Sequence, residues 1–290
     1  MTLSLASQGR DEGQPRPAHA GLVLHRYLTR QRDPKAQHDL LEVCRESVGQ
    51  ALEVYREAFR RFESSLPQDA VKRKFKVDGR LVVGLGEPTP LEVGLRLHWT
   101  YGVPFIPGSG LKGLAATYCH CIWGAKEGAF SRETVGDSRK PATAPKEPTD
   151  GGEATPYQVM FGSTEDAGHV HFYDAWMVPE SLVASQHAGA GCIHHDVLTV
   201  HHREYYTSKQ SGSGTSGSGP VPPSDEDEPV PVQFLSVTGT FLVAVKADVP
   251  GPEGRAWAEL AMQLLTEALR YWGAGGKTSS GYGRMSVVPS

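Results

Sequence analysis

Residues 272–284 lie between an amphipathic segment and a short apolar run, and they read Trp272-Gly273-Ala274-Gly275-Gly276-Lys277-Thr278-Ser279-Ser280-Gly281-Tyr282-Gly283-Arg284. Five of these thirteen residues are glycine, which permits strained turns and lets a nucleic-acid backbone approach main-chain amides closely. Lys277 and Arg284 add positive charge, and Tyr282 adds an aromatic face that can stack on a base. The combination suits RNA phosphates. A plain turn from helix to strand at a sheet edge explains the segment equally well.

The tripeptide Gly276-Lys277-Thr278 matches the end of the nucleotide-binding P-loop signature, G-x-x-x-x-G-K-[ST]. The first glycine of that signature falls on Tyr271, so the match is incomplete. The segment also follows a predicted helix and leads into a predicted strand, whereas a P-loop runs from strand to helix. We therefore do not expect an NTPase.

The elements next to this segment are predicted from their apolar patterns. Apolar residues recur every four positions over 252–272, which predicts a helix that packs on a sheet. The run 284–288 predicts a final strand. Upstream, the β-rich runs 232–237 and 240–245 meet at Gly239, which predicts either one bent strand or a hairpin.

A second glycine-rich loop occurs earlier in the chain and reads Phe105-Ile106-Pro107-Gly108-Ser109-Gly110-Leu111-Lys112-Gly113. The apolar run 114–123 follows it and predicts a helix, with Ser109 or Gly110 as the expected N-cap. The amides at this helix start form a candidate anion site, with Lys112 beside it. A plain capped helix start is equally consistent with the loop.

The remaining patterns indicate an α+β fold. Strands are predicted at 80–86, 93–98 and 168–178, and a long amphipathic helix is predicted at 35–62, with Gly49 as its weak point. The predicted order is strand, strand, helix, strand, then strand or hairpin, helix, strand. This order resembles a ferredoxin-like, RRM-like sheet with helices on one face and large loop insertions.

Composition divides the chain into three predicted parts. Residues 1–20 have almost nothing to bury and are expected to be a disordered leader. Residues 21–70 form a helical N-terminal extension, and 71–290 form the ferredoxin-like domain. Within that domain, insertions are predicted at about 124–156 and 207–231, where Gly, Pro and polar residues predominate.

The charge distribution bears on nucleic-acid binding more than the total does. The formal charge of the 290 residues is −4, which by itself argues against a phosphate-bearing partner. The acidic run 225–228 accounts for all of it, so the remainder is neutral. The basic run 72–76 supplies Lys72, Arg73 and Lys74 as further candidates for RNA contact, although a solvated surface explains this run as well.

Two bulk features indicate a cytoplasmic protein. No stretch approaches the roughly 18 consecutive apolar residues of a membrane span, and the N-terminus lacks an apolar signal core. The four cysteines are scattered, which fits a reducing compartment.

Cys119 and Cys121 are two apart and cannot share a metal on a helix, so both are expected to be core thiols.

A histidine cluster keeps catalysis open as an alternative. His194, His195, His201 and His202 lie close in sequence to the pair Tyr205-Tyr206. Metal-independent RNA cleavage uses such side chains as general acid and base. No partner residue for catalysis can be named, and a zinc site that includes Cys192 has no recognised spacing. Solvated loop histidines, or histidines that stack on RNA, are therefore the favoured interpretation.

The motifs together resemble the RAMP proteins of CRISPR systems, in particular the family of sixth subunits of the type III-B (Cmr) complex. The resemblance covers about residues 80 to 290, with the motifs in the same order. The segments that carry it are 80–86, 91–98, 101–104, 105–113, Phe161-Gly162-Ser163, 170–175, Tyr205-Tyr206 and 273–284. The family commonly has Asp-x-Met-Asn-Pro-His before the tyrosines, whereas this chain has Asp196-Val197-Leu198-Thr199-Val200-His201-His202.

The resemblance implies a RAMP fold and a non-catalytic, RNA-binding subunit near the 3′ end of the guide RNA. The expected partners are crRNA, target RNA and the other RAMP subunits, and the expected role is in antiviral defence. We expect no membrane association, no cofactor and no metal. An endoribonuclease centred on the histidine cluster and a purely structural subunit remain the alternatives.

The expected RNA-binding residues are Gly108, Ser109, Gly110, Lys112, Gly273, Gly275, Gly276, Lys277, Thr278, Ser279, Gly281, Tyr282, Gly283 and Arg284. Secondary candidates are Lys72, Arg73, Lys74, His201, His202, Tyr205 and Tyr206.

Overall fold

The structure is a computed structural model that describes residues 19–30, 33–86, 94–132, 154–183, 191–200 and 230–289. Most of the predicted leader and most of both predicted insertions lie outside the described residues, as do the acidic run and the tyrosine pair 205–206. Among the described helices, none is long and apolar enough to cross a membrane.

The described part combines six α-helices with eight strands, which confirms the α+β prediction. The helices are α1 (Ala20–Arg26), α2 (Pro34–Gln50), α3 (Leu52–Ser65), α4 (Gly108–Tyr118), α5 (Pro156–Phe161) and α6 (Gly251–Tyr271). The strands are β1 (Val71–Val77), β2 (Phe105–Ile106), β3 (Val170–Phe172), β4 (Ala175–Met177), β5 (Ile193–Val200), β6 (Val230–Val237), β7 (Thr240–Ala247) and β8 (Met285–Val287).

The main sheet is antiparallel and has the order β2-β4-β7-β1-β8, with β3 also paired to β7. Strands β5 and β6 form a separate two-stranded sheet. Because β6 and β7 belong to different sheets, the chain bends between them at Gly239, where φ is 121°. The bent-strand interpretation is therefore confirmed, and the hairpin interpretation is wrong.

Strand β1 lies inside the sheet, between β7 and β8, although the sequence predicted only a basic run there. Its residues alternate between the two faces. Phe75 and the two valines at its ends are buried, while Lys72, Lys74 and Lys76 are exposed. This strand could not be recognised from an apolar pattern, because three of its seven residues are exposed lysines.

Helix α6 covers the inward face of this sheet, as its periodicity predicted. Its buried side chains include Ala261, Leu264, Leu265 and Ala268, at the three-and-four spacing that places residues on one helical face. Burial of each leucine stabilises the fold by roughly 1.5–3 kcal/mol relative to exposure. Helix α4 packs beside α6, so two helices share this face of the sheet.

The opposite face of the sheet is partly covered by α3 of the N-terminal region. The Tyr55 hydroxyl donates a hydrogen bond to the Met177 carbonyl oxygen at 2.7 Å. The ring of Phe62 stacks on Trp176 with centroids 4.4 Å apart. Burial raises the pKa of Tyr55 well above its ordinary value, so this phenol stays protonated and keeps its donor. The N-terminal helices thus share one apolar core with the sheet.

Several local predictions need correction. The helix predicted at 35–62 is two helices, α2 and α3, separated at Ala51. The strand predicted at 168–178 is two short strands, β3 and β4. Of the two cysteines expected in the core, Cys119 is buried and Cys121 is exposed.

The predicted strands at 80–86 and 93–98 are not regular strands in the described residues. Leu81 forms an isolated bridge to Val237 of β6, and Leu97 forms one to Pro104. The two segments bond partly to each other, since the N–H groups of Gly94 and Arg96 donate to the carbonyl oxygens of Leu85 and Val83 at 3.3 and 2.7 Å. The glycine-rich segment satisfies a neighbouring group, because Gly276 N–H donates to the Val82 carbonyl oxygen at 2.8 Å. The apolar, β-branched composition of these segments predicted their burial correctly, but it could not predict which backbone segments they would pair with.

We expect Gly275→Ala to lower the free energy of unfolding by roughly 1–3 kcal/mol, as overpacking does. A Cβ at this position overlaps the Val82 carbonyl oxygen, and φ is +78°, which side chains disfavour. Chemical denaturation measures the change. Gly113→Ala is the matched control, because no atom lies within 4 Å of its Cβ position in α4. Equal stability of the two variants contradicts the role assigned to Gly275.

Candidate nucleic-acid interface

The glycine-rich segment turns back on itself after α6. Gly273, Gly275, Gly281 and Gly283 all have positive φ, between 78° and 90°. Lys277 has φ 57° and is the only non-glycine residue with positive φ among those the structure describes. Such a run of left-handed positions reverses the chain within a few residues, so that β8 can re-enter the sheet beside β1.

The two glycine-rich loops predicted from the sequence meet in space. They line one cavity of about 540 Å³, here called the glycine cavity. Its lining residues are Gly110, Leu114, Tyr271, Trp272, Gly273, Ala274, Gly275, Thr278, Ser279 and Arg284. The contact follows from the packing of α4 on α6, which brings Gly110 and Leu114 of α4 beside Tyr271 in the last turn of α6.

The start of α4 differs from the prediction. Its N-cap is Pro107, not Ser109 or Gly110, and the Gly108 N–H donates to a carboxylate oxygen of Asp174 at 2.7 Å. The N–H groups of the third and fourth helical residues bond to the Pro107 carbonyl oxygen. These amides are therefore already occupied, and the Asp174 carboxylate offsets the positive end of the helix dipole. An anion at this place must be attracted mainly by side chains.

Gly108 itself has a structural role. A Cβ there overlaps the Phe172 carbonyl oxygen, so only glycine lets α4 begin against the end of β3. Gly110 has no atom within 4 Å of its Cβ position, and it lines the glycine cavity. The predicted RNA-binding glycines therefore divide into those that close the fold and those that leave space for a ligand.

The two cationic residues of the glycine-rich segment point to different places. Arg284 is exposed and lines the glycine cavity. The Lys277 ammonium lies 5.7 Å from the centre of the Phe234 ring, and Lys277 is not among the residues that line the cavity. Such a contact stabilises by roughly 0.5–1 kcal/mol at a surface site. Arg284 is thus the better-placed residue for a phosphate in this cavity.

Tyr282 also faces away from the cavity. Its hydroxyl donates to a carboxylate oxygen of Asp196 at 3.1 Å, and its ring lies 6.1 Å from that of Phe234. Burial and the hydrogen bond to Asp196 raise the pKa of Tyr282. Together with Lys277, this tyrosine holds the glycine-rich segment against the β5–β6 sheet.

Tyr271 lines the cavity, although it is not among the RNA-binding residues predicted from the sequence. It is 56% exposed, lines the glycine cavity, and carries the Arg270 guanidinium 5.5 Å from its ring centre. An exposed aromatic ring beside a cation is the arrangement on which nucleic-acid bases stack. Its position in the last turn of an amphipathic helix, next to the glycine-rich segment, was the signal available in the sequence.

The basic run on β1 lies apart from the glycine cavity. Arg73 points toward α6, where its guanidinium lies 3.6 Å from Glu259 and 3.3 Å from the Thr266 hydroxyl. Lys72 and Lys74 are exposed on the opposite face of the sheet. The three residues therefore cannot contact one phosphate group together.

The two histidines of the cluster that are described point in opposite directions. They are neighbours on β5, where successive side chains alternate between faces. His194 Nε2 lies 2.9 Å from the Thr238 hydroxyl, whereas His195 Nε2 lies 2.7 Å from a Glu42 carboxylate oxygen of α2. His201 and His202 lie outside the described residues. Among the described residues, no three His, Cys, Asp or Glu side chains are grouped to hold a metal ion.

Sequence comparison identifies relatives of this chain. The profile of the RAMP superfamily matches residues 74–286. Over 266 residues the chain is 32% identical to the CRISPR system Cmr subunit Cmr6 of Pyrococcus furiosus, an alignment that covers 81% of this chain and 73% of that protein.

Structural comparison finds similar solved chains. One belongs to the cryo-EM structure of the type III-B Cmr-beta complex bound to cognate target RNA, with a TM-score of 0.55, 16% identity, and coverage of 98% of this chain and 84% of that one. At this identity, the similarity shows a shared fold alone. The crystal structure of Cmr6 from Pyrococcus furiosus matches with a TM-score of 0.41 and 30% identity, over 76% of this chain and 98% of that chain.

The histidines on β5 give a pH dependence with a defined sign. Burial lowers the pKa of His194 and of His195, so the folded chain binds protons there less readily than the unfolded chain. Their contribution to stability is complete above the ordinary histidine pKa of about 6.5 and is lost as the pH falls below it. We expect His194→Gln to lose less stability than the wild type between pH 7.5 and pH 5.5 in chemical denaturation.

His171→Gln is the control for this measurement, since the His171 side chain is 58% exposed. It should show the wild-type loss of stability. An unchanged pH dependence in His194→Gln contradicts the effect that we assign to burial of that ring.

Proposed function

Since the chain belongs to the RAMP superfamily, in the Cmr6 family of type III-B CRISPR subunits, we propose that it binds the guide RNA without cleaving it. In this proposal it caps the effector complex near the crRNA 3′ end, contacts the other RAMP subunits, and acts in cytoplasmic antiviral defence. A relative of the chain carries the name of a Cmr subunit, and a fold neighbour was solved with target RNA. Guide RNA is the partner that we infer for this chain.

The observation that carries the proposal is the meeting of the two glycine-rich loops in one cavity. A sugar–phosphate chain needs close approach to the protein surface, a cation for its charge, and donors for its oxygens. The cavity offers open space at Gly110, the guanidinium of Arg284, and the hydroxyls of Thr278 and Ser279. Tyr271 adds a face for one base.

This set of groups binds RNA with little regard to its sequence. A guanidinium and hydroxyls recognise phosphate oxygens, and an aromatic face stacks on any base. Sequence-tolerant binding is what a guide complex requires, because base pairing between guide and target carries the specificity. The glycine cavity therefore suits a subunit that holds a guide whose sequence varies.

We further infer that the main sheet with α4 and α6 is a ferredoxin-like unit. The support is the succession β1, α4, β3 with β4, β7, α6, β8, together with the antiparallel order that places β1 between β7 and β8. In such a unit, both helices lie on one face of the sheet and both helix–loop junctions come to one end of it. That arrangement explains why loops 160 residues apart in sequence form one cavity.

We propose no catalytic role for the histidine cluster. General acid–base catalysis requires two groups within hydrogen-bonding reach of one substrate. His194 and His195 project from opposite faces of β5, and each already contacts another side chain. This part of the proposal predicts that RNA stays intact during binding, both with added Mg²⁺ and with chelator. It is contradicted if the wild type cleaves RNA and if His194→Gln or His202→Ala abolishes that cleavage.

The RNA-binding proposal predicts two different responses at the glycine cavity. Arg284→Ala should weaken binding of labelled single-stranded RNA and reduce the salt slope by about 0.7, the value for one phosphate contact. Tyr271→Ala should weaken binding by roughly 1–3 kcal/mol, the loss of one stacked base, with the salt slope unchanged. Fluorescence anisotropy across a salt series measures both quantities, for the chain alone and within the assembled complex.

Arg56→Ala is the matched control, because Arg56 is an exposed arginine on α3, outside the cavity. It removes the same charge and should leave the slope within error of the wild type. If Arg284→Ala behaves like this control in both preparations, the glycine cavity does not hold RNA. The chain then has a structural role in the complex.

A further inference from the structure

We propose that a second groove, on another side of α4, binds phosphates of the same RNA strand next to those held in the glycine cavity. This inference rests on the proposed function and extends it to residues outside the glycine cavity, among them Arg132, which neither glycine-rich loop contains. The groove has a volume of about 700 Å³ and is here called the basic groove. Its lining residues are Ser109, Lys112, Gly113, Ala116, His120, Arg132, Tyr157, Gln158, Phe161, Gly162, Ser163 and Thr164.

Helix α4 separates the basic groove from the glycine cavity. The residues at 109, 112, 113, 116 and 120 recur at three-and-four spacing and form one side of α4 and of the π-helical turn that continues it. Gly110 and Leu114 lie on the side that faces the glycine cavity. At about 100° per residue, the two sides are roughly 120° apart around the helix axis. Consecutive residues, Ser109 and Gly110, thus line different sites.

Positive charge predominates in the groove. Lys112 and Arg132 line it, and no Asp or Glu of the described residues does. Within the described ranges, neither of these two side chains forms an ion pair with a carboxylate. Lys112, which the sequence placed with the first glycine-rich loop as one anion site, therefore belongs to this groove. Cations that the fold leaves unpaired in a concave site are available to an anionic ligand.

The neutral groups of the groove are also arranged as donors. The backbone N–H of Arg132 donates to His120 Nδ1 at 3.1 Å, so the proton of this ring lies on Nε2. The Ser163 hydroxyl oxygen accepts the N–H groups of Glu165 and Asp166 at 3.1 and 3.0 Å. Its own hydrogen is therefore left to donate.

A site with donors and cations and without carboxylates recognises a ligand rich in acceptor oxygens. Phosphate diesters have this chemistry, since each carries one negative charge and several acceptor oxygens. An RNA strand is favoured because the groove begins one residue from the glycine cavity, across the first turn of α4. A strand that crosses this turn places phosphates beside Arg284 and, further along, beside Lys112 and Arg132.

The test uses the full chain, two fluorescein-labelled oligouridylates and a salt series. One RNA is about four nucleotides long, enough for one site, and the other is about twelve, enough for both. Arg132→Ala and Lys112→Ala should each weaken binding of the longer RNA about threefold to tenfold and reduce its salt slope by about 0.7. They should leave binding of the shorter RNA unchanged, whereas Arg284→Ala weakens binding of both.

The controls remove equal charge outside the groove. Lys126→Ala and Arg56→Ala replace exposed residues that line neither site, and both should bind like the wild type. Arg132→Lys keeps the charge and should keep the salt slope, which separates loss of a phosphate contact from loss of folding.

The outcomes separate the groove from the cavity. If Arg132→Ala and Lys112→Ala match their controls on the longer RNA while Arg284→Ala weakens both RNAs, the basic groove does not bind the strand and the proposed function stands. If the wild type binds neither RNA at low salt, alone and within the assembled complex, the proposed function fails and the groove inference fails with it. A loss with Arg132→Ala and Lys112→Ala confined to the longer RNA supports the groove.

Discussion

The close approach of two backbones at the glycine-rich segment is the constraint on which the rest of the structure depends. Gly275 lies against the carbonyl oxygen of Val82, and Gly283 lies against that of Ala274, with no room for a Cβ at either glycine. Hydrogen bonds from Gly276 to Val82 and from Gly283 to Arg80 fasten the same two segments. Since Leu81 is in turn bridged to β6, this contact joins the end of α6, the start of β8 and the small β5–β6 sheet.

The contact between the glycine-rich segment and residues 80–82 also decides to which side each side chain of the segment points. Lys277 and Tyr282 lie against the β5–β6 sheet, where they contact the ring of Phe234 and the carboxylate of Asp196. Arg284 lies on the other side and lines the glycine cavity, as does Tyr271 at the end of α6. Some charged and aromatic residues of this segment therefore hold the fold together, and others face the glycine cavity. Only part of the segment is open to a ligand.

Local pattern predicted those elements whose burial follows a clear period. The helix at α6 and the last strand were found within a residue or two of their predicted bounds because their apolar positions repeat regularly. Strand β1 was not predicted as a strand, because Lys72, Lys74 and Lys76 fill its exposed positions and hide the alternation. The apolar, β-branched residues of 80–86 predict a strand, yet its backbone bonds are divided among 94–96, Val237 of β6 and the glycine-rich segment, so no regular ladder forms.

The sequence alone determined the α+β class, the family resemblance and the two glycine-rich loops, since each of these is written in local composition and spacing. Only the tertiary structure decided that the two loops share a cavity, that Lys112 lies with Arg132 in a separate groove, and that Asp174 occupies the start of α4. The physical reason is that side-chain direction and contact between distant segments are set by helix packing and strand register. Helix packing and strand register depend on the whole core. The residue type alone therefore does not show whether a glycine or lysine closes the fold or faces a ligand.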